Sequence, residues 1–535
     1  MKKNGYIHQL RDQSYYMEIL LYNQIEGEEP LSVPFFYVDS LAINESLQHW
    51  PTSGFIVFNT PFEIFSRGNP TNPKRETDSN YNVSKVKAPY IDRSDGRNRL
   101  SIKIYPVEAN NATVKDSKTK YPSDKWEMAF DFVITDIQDL PSPNAQIKKR
   151  KYIFIDERYQ ILKERNLEWS SGQIVSKTST KKPYQMTDLE KSANPNLLLK
   201  ELIKLAGTNP STTMNSNDLV YVGFGKSGTI DKPNIPFANF EETRWDSGIG
   251  SNKIPYCSSA KHTTLDDMEE LLSYCVSSEG GPVILDFGRY TDDKKWHLIP
   301  VSKFFKEASA EQIEHLILES SSGFADTATP RISRGPTDTG DFMSAIASRI
   351  QKYSFSPMVA VDDNRITNSA IHYYDHATGT FHIKIEKNTT DNVVKTLESY
   401  AKAGLYSFKK GRNAQILINQ NKTKQMGLMF QNNQSYNGSF VFDGATHNEM
   451  LLDAIFLNQS ISFQTYGLTL RAPGRFMFID NIDSGDTNPF DDRFLGQWMI
   501  TKVSHLFTQE TYLNEVVGVK IDSFDKVFNK KDEKM

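Results

Sequence analysis

The sequence predicts an α+β fold that is mainly β. Three observations predict it. Apolar residues alternate at period two through much of the first third. The middle interleaves helical apolar stripes with short strand-like runs. The C-terminal part returns to strand patterning.

The strands of the first third come in order. Tyr15, Met17, Ile19 and Leu21 share one face of an extended run. Leu31–Ile43 and Gly54–Ile64 follow. After a polar stretch from Arg67 to Lys85 come Leu100–Tyr105, Met128–Ile137 and Tyr152–Ile155, with Met128, Phe130, Phe132 and Ile134 on one side. Short strands separated by turn signals imply a barrel or a sandwich. The basic run Lys148-Lys149-Arg150-Lys151 leads into the last of these strands. It reads as a solvated strand start, with contact to an acidic partner as the other use.

A Lys/Thr/Ser/Pro-rich linker spans Val175–Asn196. Leu198, Leu202 and Leu205 then sit at helical spacing, and Gly207 is placed to end that helix. Thr264 and Asp267 are expected to cap a second helix whose apolar stripe is Leu265, Met268, Leu272 and Cys275. Pro282–Phe287 and Trp296–Ile299 read as a hairpin. Ser309 and Gln312 form a capping box for a helix through Ile313, Leu316 and Leu318.

Ser320–Thr339 is a second linker. Beyond it, helices are expected around Phe342–Ile350, Val393–Ala401 and Met450–Ile455. A hairpin is expected over Ile371–Ile385, and strand-like sequence over Gly411–Asp443. Four strands complete the chain: Ile461–Arg471, Arg475–Asp480, Gln497–Phe507 and Tyr512–Ile521. The Asn529–Met535 tail is charged and expected to fray.

Bulk properties exclude several functions. The 535 residues suffice for two to four domains. The net charge of −4 does not fit a nucleic-acid binder, which needs a concentrated basic surface. Cys257 and Cys275 form no CxxC pair and no zinc grouping. Cys275 falls on a helix's apolar face, and the count fits a reducing compartment. The N-terminus Met1-Lys2-Lys3-Asn4-Gly5 lacks the apolar run of a signal peptide. No stretch approaches the ~20 apolar residues of a membrane span, so no membrane anchor is expected.

Motifs for chemistry are weak. Gly223–Thr229 contains Gly-Lys-Ser, but a phosphate loop needs its first Gly at position 220, which is Val, and Pro233 and Pro236 follow too soon for a helix. His372, Asp375, His376 and His382 cluster on the expected hairpin, where His372 and His382 could face each other across the strands. A cross-strand polar pair is the plainer reading and a metal site the sharper one. The acidic pairs Asp266-Asp267, Asp292-Asp293 and Asp491-Asp492 read as helix starts or turns, not as the flanking carboxylates of a glycosidase. There is no HExxH and no GxSxG. The expectation is no catalytic residue, no cofactor and no bound metal.

The informative stretch is Tyr466–Ile521. Pro473-Gly474 is a tight turn in which Gly accepts positive φ. Gly496 suits a bulge or the start of a strand. The next strand carries Trp498 and Ile500 on one face, and Met499 and Val503 on the other, so it is expected to be covered on both sides.

The order Pro473, Gly474, Gly496, Trp498, Ile500, Val503, His505 resembles the C-terminal barrel of central baseplate hub proteins of contractile-tailed, T-even-like bacteriophages. It also resembles the related type VI secretion spike-base domains. Ser46-Leu47, Gly54, Phe58, Ile64 and Gly68 resemble the first tube-like domain of that family. Ile254-Pro255, with the helix and strand pair after it, resembles its α/β portion. The likeness covers most of Ser14–Leu318 and Ser439–Ile521. Ser320–Asn437 has no counterpart, and the Asn481–Arg493 loop is expanded.

The resemblance implies two tube-like antiparallel β-barrel domains, at 1–174 and 439–526. It also implies an α/β middle domain at 197–319, an inserted α/β elaboration at 340–438 and a tail at 527–535. As function it implies a non-enzymatic homotrimer that adapts a six-fold tail tube to a three-fold cell-puncturing spike. The implied partners are the tail spike protein, the tail tube protein and the surrounding wedge or inner-baseplate proteins. DNA would pass through the lumen without sequence-specific binding. The expected location is the baseplate centre of the virion, after assembly in the host cytoplasm. The rival expectations are the tail-tip hub of a non-contractile phage and a tail-associated cell-wall hydrolase.

Overall fold

The computed structural model describes residues 5–10, 13–22, 30–47, 51–60, 98–107, 127–142, 147–177, 179–186, 190–207, 242–248, 250, 253–258, 261–278, 283–286, 295–300, 313–318, 349–356, 369–375, 380–385, 414–417, 460–481 and 496–520. The fold is mainly β and is dominated by one curled sheet of 14 strands.

The N-terminal strands are β1 (Tyr6–Leu10), β2 (Gln13–Tyr22), β3 (Leu31–Ser32), β4 (Val38–Ser46), β5 (Ser53–Thr60), β6 (Arg99–Val107), β7 (Met128–Leu140) and β8 (Lys148–Asp156). They pair in the order β1-β2-β6-β7-β8-β5-β4, with β3 on β2. The alternation read from the sequence decides which face is buried. Tyr15, Met17, Ile19 and Leu21 join Met128, Phe130, Phe132, Ile134, Tyr152 and Phe154 in one apolar core. The basic run at the start of β8 is half-buried, with Lys149 and Lys151 on the face away from this core and Arg150 on the Tyr152 side. Lys149 pairs with Asp39 at 2.8 Å and Arg150 with Asp139 at 2.7 Å, while Lys151 lies over the Phe55 ring.

The middle strands are β9 (Glu242–Trp245), β10 (Val283–Asp286), β11 (Trp296–Pro300), β12 (Ile313–Leu318), β13 (Arg349–Ser356), β14 (Ser369–Asp375), β15 (Thr380–Ile385) and β16 (Ala414–Leu417). The C-terminal ones are β17 (Ser460–Tyr466), β18 (Phe476–Asn481), β19 (Gly496–Thr508) and β20 (Tyr512–Lys520). β19, β18, β12, β13, β17 and β20 pair in that order, and β20 pairs back onto β19, so the ring closes. β12 runs parallel to both β18 and β13. Every other pairing in the large sheet is antiparallel. A second core of Ile350, Ile461, Phe463, Met477, Ile479, Trp498, Ile500, Val503 and Val516 unites residues from β13, β17, β18, β19 and β20.

A third core belongs to helices α1 (Glu157–Glu164), α2 (Ser171–Ser176), α3 (Pro195–Gly207) and α4 (Thr264–Tyr274), together with the sheet β10-β11-β9. Leu198 and Leu202 of α3 and Leu265, Met268 and Cys275 of the α4 stripe are all buried in it, and burial pushes the Cys275 thiol pKa up. α1 begins on the buried Glu157, whose Oε2 accepts a hydrogen bond from Arg99 Nη2 of β6 at 2.9 Å. This pins the helix to the N-terminal sheet. Among the described residues, no helix is long and apolar enough to cross a membrane.

Three sequence expectations are corrected. Ile313–Leu318 is a strand, not a helix. The segment is hydrogen-bonded on both sides, and strand pairing outweighs a capping signal that lies outside the described residues. Ile350 falls in β13. The α4 cap sits one residue earlier than expected: Thr263 Oγ1 accepts from the Asp266 amide at 3.2 Å, and Asp266 Oδ2 accepts from the Thr263 amide at 2.8 Å. Thr264 is buried and donates from N and Oγ1 to the Arg165 carbonyl, which leaves Asp267 free to face the core. The helices expected at 393–401 and 450–455, and Gly223–Thr229, lie outside the described residues.

Candidate functional site

The expected motif residues converge on β19. This strand has 13 residues, about 40 Å at roughly 3.3 Å per residue. Its first part pairs with β18 (Phe476↔Met499), and its second part with β4 (Lys502↔Ser46 to Thr508↔Ser40). β20 pairs along nearly all of it, with a register shift between Ile500 and Lys502.

That irregularity is where β19 changes partner. The Ile500 amide donates to the Arg475 carbonyl at 2.8 Å, and the Ile500 carbonyl accepts from Gly474 N at 2.7 Å. The Thr501 carbonyl accepts from Leu47 N at 2.9 Å, and Thr501 Oγ1 donates to the Val517 carbonyl at 3.1 Å. The extra residue also flips side-chain parity. Val503 therefore lies in the same core as Trp498 and Ile500, not on the opposite face with Met499 as strict alternation implied. Met499 is buried as well, so the strand is covered on both faces, as expected.

Pro473-Gly474 forms the turn the sequence called for. Arg475 N donates to the Ala472 carbonyl, and Gly474 has φ +83°. Gly496 starts β19 opposite Ile479, and the bulge lies further along the strand. Gly54 in β5 faces Ile43 of β4 and is required sterically: a Cβ there would lie 1.9 Å from the Ala42 carbonyl oxygen.

His505 lies on the β4-paired half of β19, and both it and Glu45 of β4 are buried. Its Nε2 is 3.0 Å from Glu45 Oε1. Its Nδ1 lies 2.7 Å from Tyr512 Oη and 2.9 Å from Asn514 Nδ2. Asn514 Oδ1 accepts from Leu468 N at 2.7 Å and from Arg471 Nη1 at 2.9 Å, which fixes the amide with its NH2 toward His505. Nδ1 therefore accepts, and Nε2–H donates to the Glu45 carboxylate.

The same region joins the cores. Phe507 and Tyr512 stack at 3.9 Å and belong to the N-terminal core, while Trp498 and Val503 of the same strand belong to the C-terminal one. Tyr15 of β2 meets Tyr512 edge-on at 5.3 Å and donates to the Gly467 carbonyl. Chemically this arrangement can fix the N-terminal and C-terminal strands of the one large sheet in register.

Sequence reasoning found His505 but missed Glu45, Arg471, Tyr512 and Asn514. A signal for Glu45 existed, because it continues the Leu41, Ile43, Leu47 alternation on the buried face. The histidine hairpin is not a facing pair: His372 pairs with Ile383, and His382 with Tyr373. His376 lies outside the described residues.

No family model matches the chain, and no curated protein matches it. Solved structures do match. The tail protein from Neisseria meningitidis MC58 is 7% identical, with 95% of this chain and 96% of that one covered and a TM-score of 0.43. The 43 kDa tail protein of prophage MuSo2 from Shewanella oneidensis is 9% identical, with 95% and 99% covered and a TM-score of 0.42. A Francisella PdpA-VgrG complex is 11% identical, with 96% and 59% covered and a TM-score of 0.39. The structural neighbours are thus proteins of phage tails and of type VI secretion.

Proposed function

We propose that this chain is a structural hub of a phage tail baseplate: a non-catalytic homotrimer that adapts a six-fold tail tube to a three-fold spike. Two tube-like barrels per chain would give six in the trimer, with DNA passing through the lumen. Tube, spike and inner-baseplate or wedge proteins would be the neighbours, in a virion assembled in the host cytoplasm. The proposed units are 1–174 and 439–526 for the barrels, 197–319 for the α/β domain and 340–438 for the elaboration, with the tail at 527–535.

The observation that supports this most is β19. It carries Gly496, Trp498, Val503 and His505 of the family-like motif, and it lines both β cores of one chain. A strand shared in this way would hold the two proposed barrels side by side, which a ring built from tandem barrels needs. The Tyr6 and Ile7 side chains of β1 are exposed, and β1 pairs only with β2 among the described residues. That leaves an edge suited to another chain.

Light scattering on the full chain, alone and with its spike protein, tests the reading. A trimer of ~180 kDa from chains of 61.0 kDa is expected, either alone or once the spike is added. A chain that stays monomeric in both conditions would sink it.

A further inference from the structure

We propose that His262, Asp267 and Glu270 form a binding site for one divalent transition-metal ion of the zinc class, at the start of α4. Asp267 and Glu270 are three residues apart and so share one face of the helix. His262 precedes the Thr263 cap, and Tyr256 comes in from the extended segment before it. One donor atom from each of His262, Asp267 and Glu270 lies within 4.8 Å of the others.

The hydrogen-bond inventory around these groups is short of one positive centre, a proton or a cation. Asp267 is fully buried. Its Oδ2 accepts from Trp169 Nε1 at 3.1 Å and from Ser258 Oγ. Tyr256 Oη lies 2.8 Å from Asp267 Oδ1 and 3.1 Å from Glu270 Oε2, yet a phenol has one proton to give. One of those two oxygen–oxygen contacts therefore needs a further proton or a cation between its partners.

His262 supplies the second, independent sign. Its Nδ1 is buried and sits 3.3 Å from Asp267 Oδ1 without completing a hydrogen bond. Among the described residues, no lysine or arginine contacts Asp267 or Glu270. Apart from His262, the groups that meet the buried Asp267 carboxylate are neutral donors, and a buried carboxylate is costly unless a positive charge is supplied.

A divalent ion answers all three features at once. It takes a lone pair from the imidazole and one from each carboxylate, and the Tyr256 oxygen or water can fill the remaining position. One nitrogen and two carboxylate oxygens suit zinc and its first-row neighbours better than calcium or magnesium, which prefer all-oxygen sets. The ion would tie the His262 turn and α4 to the Tyr256 segment. The site lies in the helical core, so it stands or falls independently of the assembly reading.

The test strips the full chain with a chelator and titrates it with Zn2+, then with Co2+ as a spectroscopic probe. One ion per chain is expected. Visible d–d absorption of low-coordinate Co2+ should appear, and thermal stability should rise on zinc addition. His262→Ala and Glu270→Gln should each weaken binding by roughly tenfold or more. Both side chains are partly exposed, so the variants should stay folded by circular dichroism. Zinc uptake equal in the wild type and the folded variants, or no uptake at all, would overturn the site. In the latter case a shared proton holds the cluster.

Discussion

His505 Nε2 and Glu45 Oε1 lie 3.0 Å apart across β19 and β4, 460 positions apart in the chain and both buried. The contact ties the N-terminal and C-terminal strands of the large sheet, and each partner is expensive to bury without the other. His505→Leu removes the imidazole partner of the buried Glu45 carboxylate. It should cost on the order of 3–5 kcal/mol in urea unfolding. The double variant His505→Leu/Glu45→Leu should recover part of that loss, because no buried charge remains. Additive losses would mean that the two groups do not act as a pair.

Gly54→Ala and Gly474→Ala separate two uses of glycine. At Gly54 a Cβ would collide with backbone, the Ala42 carbonyl oxygen, so β4 and β5 must part. At Gly474 the problem is φ +83°, a penalty of roughly 1–2 kcal/mol for a side chain. Chemical denaturation should therefore show Gly54→Ala to be the worse of the two. Equal losses would show that β4 can shift to accommodate the methyl group.

Much of this architecture was legible in the sequence because one face of most strands is buried, and burial writes alternation. Met128, Phe130, Phe132 and Ile134 show it, and so does the positive φ expected at Gly474. What was hidden depended on partners distant in the chain. Ile313–Leu318 has an ambiguous apolar spacing, and only the flanking β18 and β13 make it a strand. The bulge between Ile500 and Lys502 has no residue signature, so strict alternation put Val503 on the wrong face. The acidic pair Asp266-Asp267 read as a helix start. Both do lie in the first turn of α4; hidden was that Asp266 closes the cap while Asp267 turns inward to Trp169 and Tyr256.

Trp498 and Lys149 should mark the extremes of the mutational scale. Trp498 is fully buried in the C-terminal core, and Trp498→Ala should cost about 3–5 kcal/mol. Lys149 makes a half-exposed pair with Asp39, so Lys149→Ala should change stability by less than about 1 kcal/mol. A large loss at Lys149 would show that the basic run has a buried partner in solution, such as a second chain.

Glu157 gives the fold a pH dependence whose sign follows from its burial. Desolvation raises its pKa from 4.5 to about 7, and the nearby Arg99 guanidinium only partly opposes that. Between those values the folded chain keeps a proton that the unfolded chain has released. The contribution of Glu157 is therefore most favourable below about pH 4.5 and declines as pH rises through 7. Other carboxylates titrate over part of that range, so the informative quantity is the difference from Glu157→Gln, which keeps the shape and cannot ionise. Relative to that variant, the wild type should lose on the order of 3 kcal/mol between pH 4.5 and pH 7.5. Urea unfolding at both pH values measures it. A constant difference would place the Glu157 pKa near that of an ordinary carboxylate and make the Arg99 ion pair the stronger influence on it.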